Sequence, residues 1–391
     1  MEWMIIAGEA SGDAYAAEVV TELRRRHPDW RFFGCGGKRL AETGAEILVS
    51  ADQLGVVGLL EVVTHLPRIY GFFRRLRQAM LARRPAAVIL IDFPDFNLRF
   101  AKAAHRAGVP VLYFVSPQLW AWRSGRVKQI RKTVRRMICI FPFEEDFYRR
   151  HQVAVAAVGH PLVERIAAAR RRFPPEARFR EENGLPLEAE LIALLPGSRH
   201  RELEFHLPAL LQAAAQLHAE TGAHFVLPVA PSLSPESVAH SIPAAMREYV
   251  HLLPPAAAYA GIACARLAIV ASGTATVETA LLGTPMIVIY RLSPWTYRLG
   301  RSWVKVPHYA MVNLIAGREA VPELIQEGLS AAAIVNWAHR LLPDGKERQQ
   351  MRLDLEQVSR QLGEPGAIAR AASAMEETVG IASTLGNVTY E

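Results

Sequence analysis

Two stretches of this chain put small, hydroxyl-bearing and cationic residues where a strand gives way to a helix. In residues 191–204, LIALLPGSRHRELE, five apolar residues break at Pro196-Gly197-Ser198 and a helical pattern resumes near Arg201-Glu202. A helix N-terminus there aims backbone N–H groups at whatever lies above the strand, a natural anion site. Arg199 adds a guanidinium able to fork onto a phosphate. The plainer alternative is a strand-to-helix turn with a surface arginine. Residues 267–278 repeat the design: an apolar run enters Ser272-Gly273-Thr274, followed by Thr276 and Glu278. Small residues let a phosphate approach the backbone, hydroxyls supply donors, and a carboxylate one turn into the helix can accept from two ribose hydroxyls. The glycine spacing is not the dinucleotide G-x-G-x-x-G pattern. Two such loops in one half of the chain point to one nucleotide-sugar diphosphate.

The first half carries three more loops at strand ends. Gly8-Glu9-Ala10-Ser11-Gly12-Asp13 follows an apolar run, and its two glycines permit a close approach to substrate. Asp92, in Ile91-Asp92-Phe93-Pro94-Asp95-Phe96-Asn97, ends an all-apolar run, where desolvation raises a carboxyl towards the proton affinity of a useful base. The alternative for Asp92 is a loop carboxylate balancing nearby arginines. Asp95 is placed to cap the helix that follows, and stands second as a catalytic candidate. In residues 116–123, SPQLWAWR, Trp120 and Trp122 suit a sugar face or a lipid headgroup boundary, with Arg123 beside them.

The elements that position these loops alternate. Apolar runs at 4–7, 31–34, 87–91, 109–115 and 137–140 read as buried strands, with helical stretches near 14–26, 58–83, 97–107 and 123–135. That pattern is a doubly wound α/β domain with a parallel sheet. A polar Arg/Glu/Pro-rich stretch at 164–188 marks a boundary, and strands near 191–195, 224–229, 250–252, 267–270 and 286–290 build a second α/β domain. Helices near 331–342, 346–362 and 367–378 end the pattern. The expected division is 1–165, 166–345, and 346–391 as helices packing back on the first domain. Ligand loops at the carboxyl ends of strands in both halves imply a cleft between domains.

With 391 residues, 51% of them hydrophobic, the chain has material for two full cores. Cys35, Cys139 and Cys264 stand at no metal-ligand spacing and read as reduced core residues. No signal segment opens the chain, and no run nears the roughly 20 apolar residues of a membrane span. The chain is therefore expected to be neither secreted nor transmembrane. Its charge of +7 is uneven: residues 62–143 hold sixteen Lys/Arg against Asp92 and Asp95, a local +14 that leaves −7 for the rest. Such asymmetry points to a polyanion, nucleic acid or an anionic membrane surface. Residues 55–78, GVVGLLEVVTHLPRIYGFFRRLRQ, favour the membrane. Leu60, Val62, Val63, Leu66, Ile69 and Tyr70 exceed the needs of one core stripe, and Arg68, Arg74, Arg75 and Arg77 flank them. Pro67 and Gly71 are expected to kink or divide this segment. A core helix with a solvated basic face is the competing reading. No RNA-binding signature is present, so nucleic acid is not expected as a partner.

Seven motifs stand in the order seen in lipid A disaccharide synthases: AGEASGD, IDFPDFN, VSPQLWAWR, GHPLVE, LLPGSRHRELE, ASGTATVETALLGTPMIVIYR and NLIAGREAVPELIQE. The chain resembles that family from about residue 4 to residue 375. The resemblance implies the GT-B α/β fold: two facing Rossmann-like domains with parallel sheets and an interdomain cleft, a C-terminal helix returning to the first domain, and no metal or other cofactor. It implies an inverting transfer from UDP-2,3-diacylglucosamine to 2,3-diacylglucosamine 1-phosphate. The products are a β-1,6-linked disaccharide 1-phosphate and UDP, made at the cytoplasmic, anionic face of the inner membrane.

Within that resemblance Asp92 suits the base, and Gly197, Ser198, Arg199, Ser272, Gly273 and Thr274 suit the departing diphosphate. Glu278 would hold ribose, and Asn313, in Val312-Asn313-Leu314-Ile315-Ala316-Gly317-Arg318-Glu319, would contact the donor. Acyl-chain preference, the acceptor phosphate site and the number of subunits, a homodimer among the options, stay open. Two other readings compete. One is a further GT-B sugar-nucleotide enzyme, either a peptidoglycan-precursor transferase or a 2-epimerase, and an epimerase would require no apolar membrane segment. The other is a non-catalytic protein that binds anionic surfaces.

Overall fold

Runs of apolar residues buried on both faces build two wholly parallel sheets, as expected where helices cover each side. The computed structural model describes residues 1–51, 62–117, 119, 124–292 and 308–380. It divides into two compact units, Met1–Pro161 with the chain from Gly363 on, and Leu162–Leu362.

The first unit holds strands β1 (Glu2–Ala7), β2 (Arg31–Gly36), β3 (Glu46–Ser50), β4 (Val88–Ile91), β5 (Val111–Phe114), β6 (Arg136–Cys139) and β7 (Val155–Ala157). Their order is β3-β2-β1-β4-β5-β6-β7, so the winding reverses between β1 and β4. The second unit holds β8 (Leu191–Leu195), β9 (His224–Pro228), β10 (Val250–Leu253), β11 (Leu267–Ala271), β12 (Met286–Tyr290) and β13 (Glu323–Ile325). Here the order is β10-β9-β8-β11-β12-β13, and the reversal falls between β8 and β11. Ligands of open α/β sheets bind outside the carboxyl ends of the strands at such reversals. Of the five loops singled out by residue type, four follow β1, β4, β8 and β11, and the fifth, residues 116–123, follows β5.

The unit boundary differs from the expected one at the C-terminal end. Helix Lys346–Gln361 packs with helices Thr274–Leu282, Met311–Ala316 and Ala331–Leu341, so it belongs to the second unit. It buries Met351, Leu355 and Val358 there, and Asp354 takes both arms of the Arg318 guanidinium at 2.8 Å. Only helix Ala367–Thr378 returns to the first unit. It lies on helix Ala10–Arg26, where buried Glu376 accepts from Arg26 at 2.8 Å and bonds His27 at 2.8 Å.

The amphipathic segment is the other correction. Helix Val62–Arg83 runs through Pro67 and Gly71 without dividing. Pro67, the sixth residue of this helix, removes one backbone donor from its second turn, and the helix continues through it. Leu76 and Met80 are fully buried, and Ile69, Phe72 and Phe73 are half-buried against the same core. Ile69 therefore belongs to the packed stripe rather than to a lipid-facing one. Arg74, Arg75 and Arg77 are exposed, as are Tyr70 at 64% and Leu81 at 44%. Leu60 lies outside the described residues, as do the side chains of Val62, Val63 and Leu66. No described helix is long and apolar enough to cross a membrane.

Candidate active site

In the first unit the site is built on an unusual backbone. Asp92 (φ 46°) and Phe93 (φ 47°) take successive left-handed conformations just past β4, a region that non-glycine residues avoid. Neighbours fix this elbow. The Asp92 N–H donates to the Phe114 carbonyl at 3.2 Å, and the Asp92 carbonyl accepts from the Tyr113 hydroxyl at 2.6 Å and from Asn97 Nδ2 at 2.8 Å. Phe93 lies over Gly8, where a Cβ would meet its ring at 2.4 Å; Gly8 is needed for this packing. Val115, past β5, is also left-handed (φ 61°).

Asp92 as a residue is half-buried, but the elbow leaves its carboxyl largely shielded from water. Desolvation, with Glu9 as a second negative charge, pushes its pKa up to about 7, against one opposing hydrogen bond from the Phe93 backbone. Burial is the leading cause, as expected for a carboxylate ending an apolar strand. Asp95 is different: it is exposed in the first turn of helix Pro94–Arg106 and pairs with Arg126 at 2.6 Å. That exposed ion pair sets its environment apart from the shielded one of Asp92.

The β1 loop splits in the same way. Glu9 is half-buried, Ser11 exposed at the start of helix Ala10–Arg26, and Gly12 buried, with room for a Cβ only at 3.6–3.7 Å from Ala7 and Ile91. Asp13 turns inward instead. Its carboxylate accepts from the backbone N–H groups of Gly37 (2.6 Å), Arg39 (3.1 Å) and Leu40 (3.3 Å), fixing the turn after β2. It is a structural cap, and no surface remains for an acceptor. Trp120, Trp122 and Arg123 lie outside the described residues.

In the second unit several donors expected to be open are already in use. Glu202 Oε2 accepts from the N–H groups of Ser198 (2.8 Å) and Arg199 (3.2 Å). Gly197 (φ 122°) has no space for a Cβ, because Glu202 lies 2.3 Å from where one would be. The loop after β8 thus carries its own carboxylate, the spacing of a capping box, and the exposed Arg199 side chain is what it presents outward. Ser272 Oγ donates to the Tyr309 carbonyl at 2.9 Å, which leaves its lone pairs. Gly273 (φ 155°) and Thr274 are exposed. Thr276 is fully buried and donates to the Gly273 carbonyl at 2.8 Å, so it shapes the loop and does not face a ligand.

Asn313 is the clearest correction. It is fully buried, donates to the Val321 carbonyl and Glu323 Oε1 (both 2.8 Å), and accepts from Ala320 (2.8 Å) and Val321 (2.9 Å). Two donors and two lone pairs are all a primary amide offers at these positions. Asn313 holds its own motif together and has no hydrogen bond left for a donor sugar. Glu323 completes the knot by accepting from the N–H groups of Tyr309 and Ala310 at 2.8 and 2.9 Å.

Four residues with no assigned role also shape this site. Tyr259 donates to Glu278 Oε1 at 2.8 Å, and Arg165 is a charge neighbour of both. Burial raises the Glu278 carboxyl, opposed by the Tyr259 bond and by Arg165. His206 Nδ1 bonds the Pro196 carbonyl at 2.6 Å and its Nε2 accepts from Arg291 N–H at 2.9 Å, tying the β8 loop to the end of β12. Burial lowers its pKa and keeps it neutral with the proton on Nδ1. Only Glu202 had a local signal, its three-residue spacing from Arg199. Tyr259 stands 19 residues from Glu278, and no short-range pattern links them.

Similarity to known proteins decides the family. A family described as lipid-A-disaccharide synthetase matches residues 3–378. A lipid-A-disaccharide synthase of Solibacter usitatus is 45% identical over 375 residues, 96% of each chain. The chain belongs to the lipid-A-disaccharide synthase family. It is accordingly a glycosyltransferase of lipid A biosynthesis. Solved structures confirm the GT-B fold at low identity. A UDP-GlcNAc 2-epimerase from Neisseria meningitidis has a TM-score of 0.67 at 12% identity, covering 96% of this chain and 100% of that one. The calicheamicin glycosyltransferase CalG4 has a TM-score of 0.61 at 19%, covering 98% and 99%. These show the fold alone, whereas the family match runs against the epimerase alternative. Among the described residues, no group of three or more His, Cys, Asp or Glu could hold a metal ion.

Proposed function

We propose that this chain joins UDP-2,3-diacylglucosamine to 2,3-diacylglucosamine 1-phosphate with inversion, and that Asp92 is the base. The raised proton affinity of the Asp92 carboxyl, at the strand reversal of the first unit, carries the reading. As the acceptor 6-hydroxyl oxygen bonds to the anomeric carbon, its proton passes to Asp92. The bond from that carbon to the diphosphate breaks, and UDP leaves with the electron pair. A base with a pKa near the working pH combines enough ionised form with enough basicity. The departing diphosphate calls for cationic and N–H or O–H partners, and the Arg199 guanidinium, the Thr274 hydroxyl and the Gly273 backbone suit it, on loops whose Ser198 and Ser272 donors are spent in holding their shape. Glu278, oriented by Tyr259, suits the ribose hydroxyls. Gly8, Glu9, Ser11 and Gly12 stand at the neighbouring strand end and suit the acceptor.

Docking at an anionic membrane face fits the same reading. Tyr70, Arg74 and Arg75 form part of an exposed basic face with an apolar component on helix Val62–Arg83. Incubation with radiolabelled UDP-diacylglucosamine, with and without the monosaccharide 1-phosphate, tests the whole reading. UDP release that depends on the acceptor, with a disaccharide product, is expected. Isomerisation or UDP release without acceptor would overturn it in favour of an epimerase-like activity.

A further inference from the structure

A carboxylate can act as a base only where the backbone presents it, and here the backbone stands in a conformation that neither Asp nor Phe prefers. Such strain persists only where the surroundings over-determine it. The Asp92 carbonyl, turned away from the strand ladder by the elbow, receives two donors from two different elements. The Tyr113 hydroxyl reaches it from β5 at 2.6 Å, and Asn97 Nδ2 reaches it from helix Pro94–Arg106 at 2.8 Å. Asn97 Nδ2 also donates to the Ile91 carbonyl at 3.1 Å, so one amide group spans both sides of the elbow.

We propose that Tyr113 and Asn97 are positioning residues for Asp92, clamping its carbonyl so that its carboxyl stands at the mouth of the strand reversal. This rests on Asp92 being the base. Three observations support it. Both residues are fully buried, out of reach of any substrate. Asn97 Oδ1 has no partner among the described residues, so this amide is held for its donors despite a stranded acceptor. Burial pushes the Tyr113 phenol well above its ordinary range, which keeps the hydroxyl protonated and donating. Phe93, held over Gly8, closes the elbow from its other side. Neither clamp residue carries charge or moves a proton; each acts through the backbone of its neighbour.

Tyr113→Phe tests the clamp with the ring retained. The expected result is a kcat lowered about 10- to 100-fold, the cost of misplacing a reacting group by an ångström or less. UDP affinity should be unchanged. The acid limb of the kcat/KM profile should move to lower pH, because a relaxed elbow admits water to the Asp92 carboxyl. Asn97→Ala should act in the same direction, and the two losses should be less than additive because both act on one carbonyl. Thr284→Val removes a comparable buried bond, Thr284 Oγ1 to the Ile262 carbonyl at 2.8 Å, in the second unit. It should lower thermal stability without moving kcat or the acid limb. Asp92→Asn completes the set. An inactive Asp92→Asn beside a Tyr113→Phe enzyme with wild-type kcat and acid limb would overturn the clamp and leave the base in place. An active Asp92→Asn enzyme would overturn the base and the clamp with it.

Discussion

The two strand reversals occupy the same topological address and are furnished in opposite ways. At β1/β4 the backbone is strained, the carboxyl has an unusual proton affinity, and neighbouring side chains serve to hold it. At β8/β11 the backbone is relaxed by glycine, the inner donors are already met by Glu202, Gly273 and Tyr309, and what is exposed is the Arg199 guanidinium and Thr274, while the shielded Glu278 carboxyl is held by Tyr259. Proton transfer needs one group in an improbable state, which a fold can maintain only by over-determining it. Recognition needs several ordinary groups at fixed spacing, which a self-capped loop supplies with little strain. On the proposed reading, chemistry and binding are divided between two similar sheets.

The sharpest test of the catalytic side is Asp92→Asn. Turnover should fall about 10²–10⁴-fold, the usual worth of a general base, with UDP affinity by calorimetry near wild type. Wild-type activity should decline as pH falls through about 7, since only the ionised carboxyl accepts a proton. Stability should run the other way. A carboxyl raised from 3.8 to about 7 in the folded state destabilises the protein progressively as pH climbs between those values. Asp92→Asn should therefore raise the melting temperature at pH 8 relative to wild type and have little effect at pH 4. A variant equally stable at both would mean that burial does not govern this carboxyl.

The recognition side predicts a smaller, binding-only effect. Arg199→Ala should weaken UDP by roughly 1.5–3 kcal/mol, about 10- to 150-fold, through loss of a charge-assisted contact. Arg199→Lys should restore part of it, because the charge returns without the fork. Neither change should move the acid limb set by Asp92. A shift of that limb would break the division of labour between the two reversals.

Much of this architecture is legible from the chain because parallel strands buried on both faces are continuous apolar runs, as in β1, β4, β8 and β11. The reversals follow from strand order, and the loops at them from glycine, serine and acidic residues. Strands β3, β7 and β13 escaped because they are three to five residues long and only partly buried. Residue roles were less legible, for a reason visible in Asp13, Thr276 and Asn313. A polar residue in a ligand-loop motif looks the same whether its partner is a substrate or a backbone amide. Asp13 meets N–H groups 24 to 27 residues away, and Asn313 meets Glu323 ten residues on. Side-chain type names the chemistry available; only the fold says whether it is already spent.

Asn313→Ala separates scaffold from contact. Stranding buried partners costs about 1–3 kcal/mol each, so the melting temperature should drop by several degrees. UDP affinity of the folded protein should stay within a few-fold of wild type. A wild-type melting temperature with UDP binding lost would restore Asn313 as a direct contact.

The smallest effects belong to helix Val62–Arg83, and two adjacent residues show why. Ile69 is half-buried against the first-unit core, whereas Tyr70 is 64% exposed. Ile69→Ser should therefore destabilise the first unit, by up to about 2 kcal/mol for a partly buried truncation, whether or not lipid is present. Tyr70→Ser should leave the melting temperature unchanged and weaken binding to vesicles containing anionic phospholipid. Arg74→Ala and Arg75→Ala should each remove about 1 kcal/mol of that binding, roughly fivefold. Their contribution should fade as salt rises, since screening acts over about 8–10 Å near physiological ionic strength. Turnover on substrates dispersed in detergent should not change in any of the three, because none of these residues is given a part in the transfer. Vesicle sedimentation with unaltered binding for Tyr70→Ser, Arg74→Ala and Arg75→Ala combined would show that this helix face does not meet lipid.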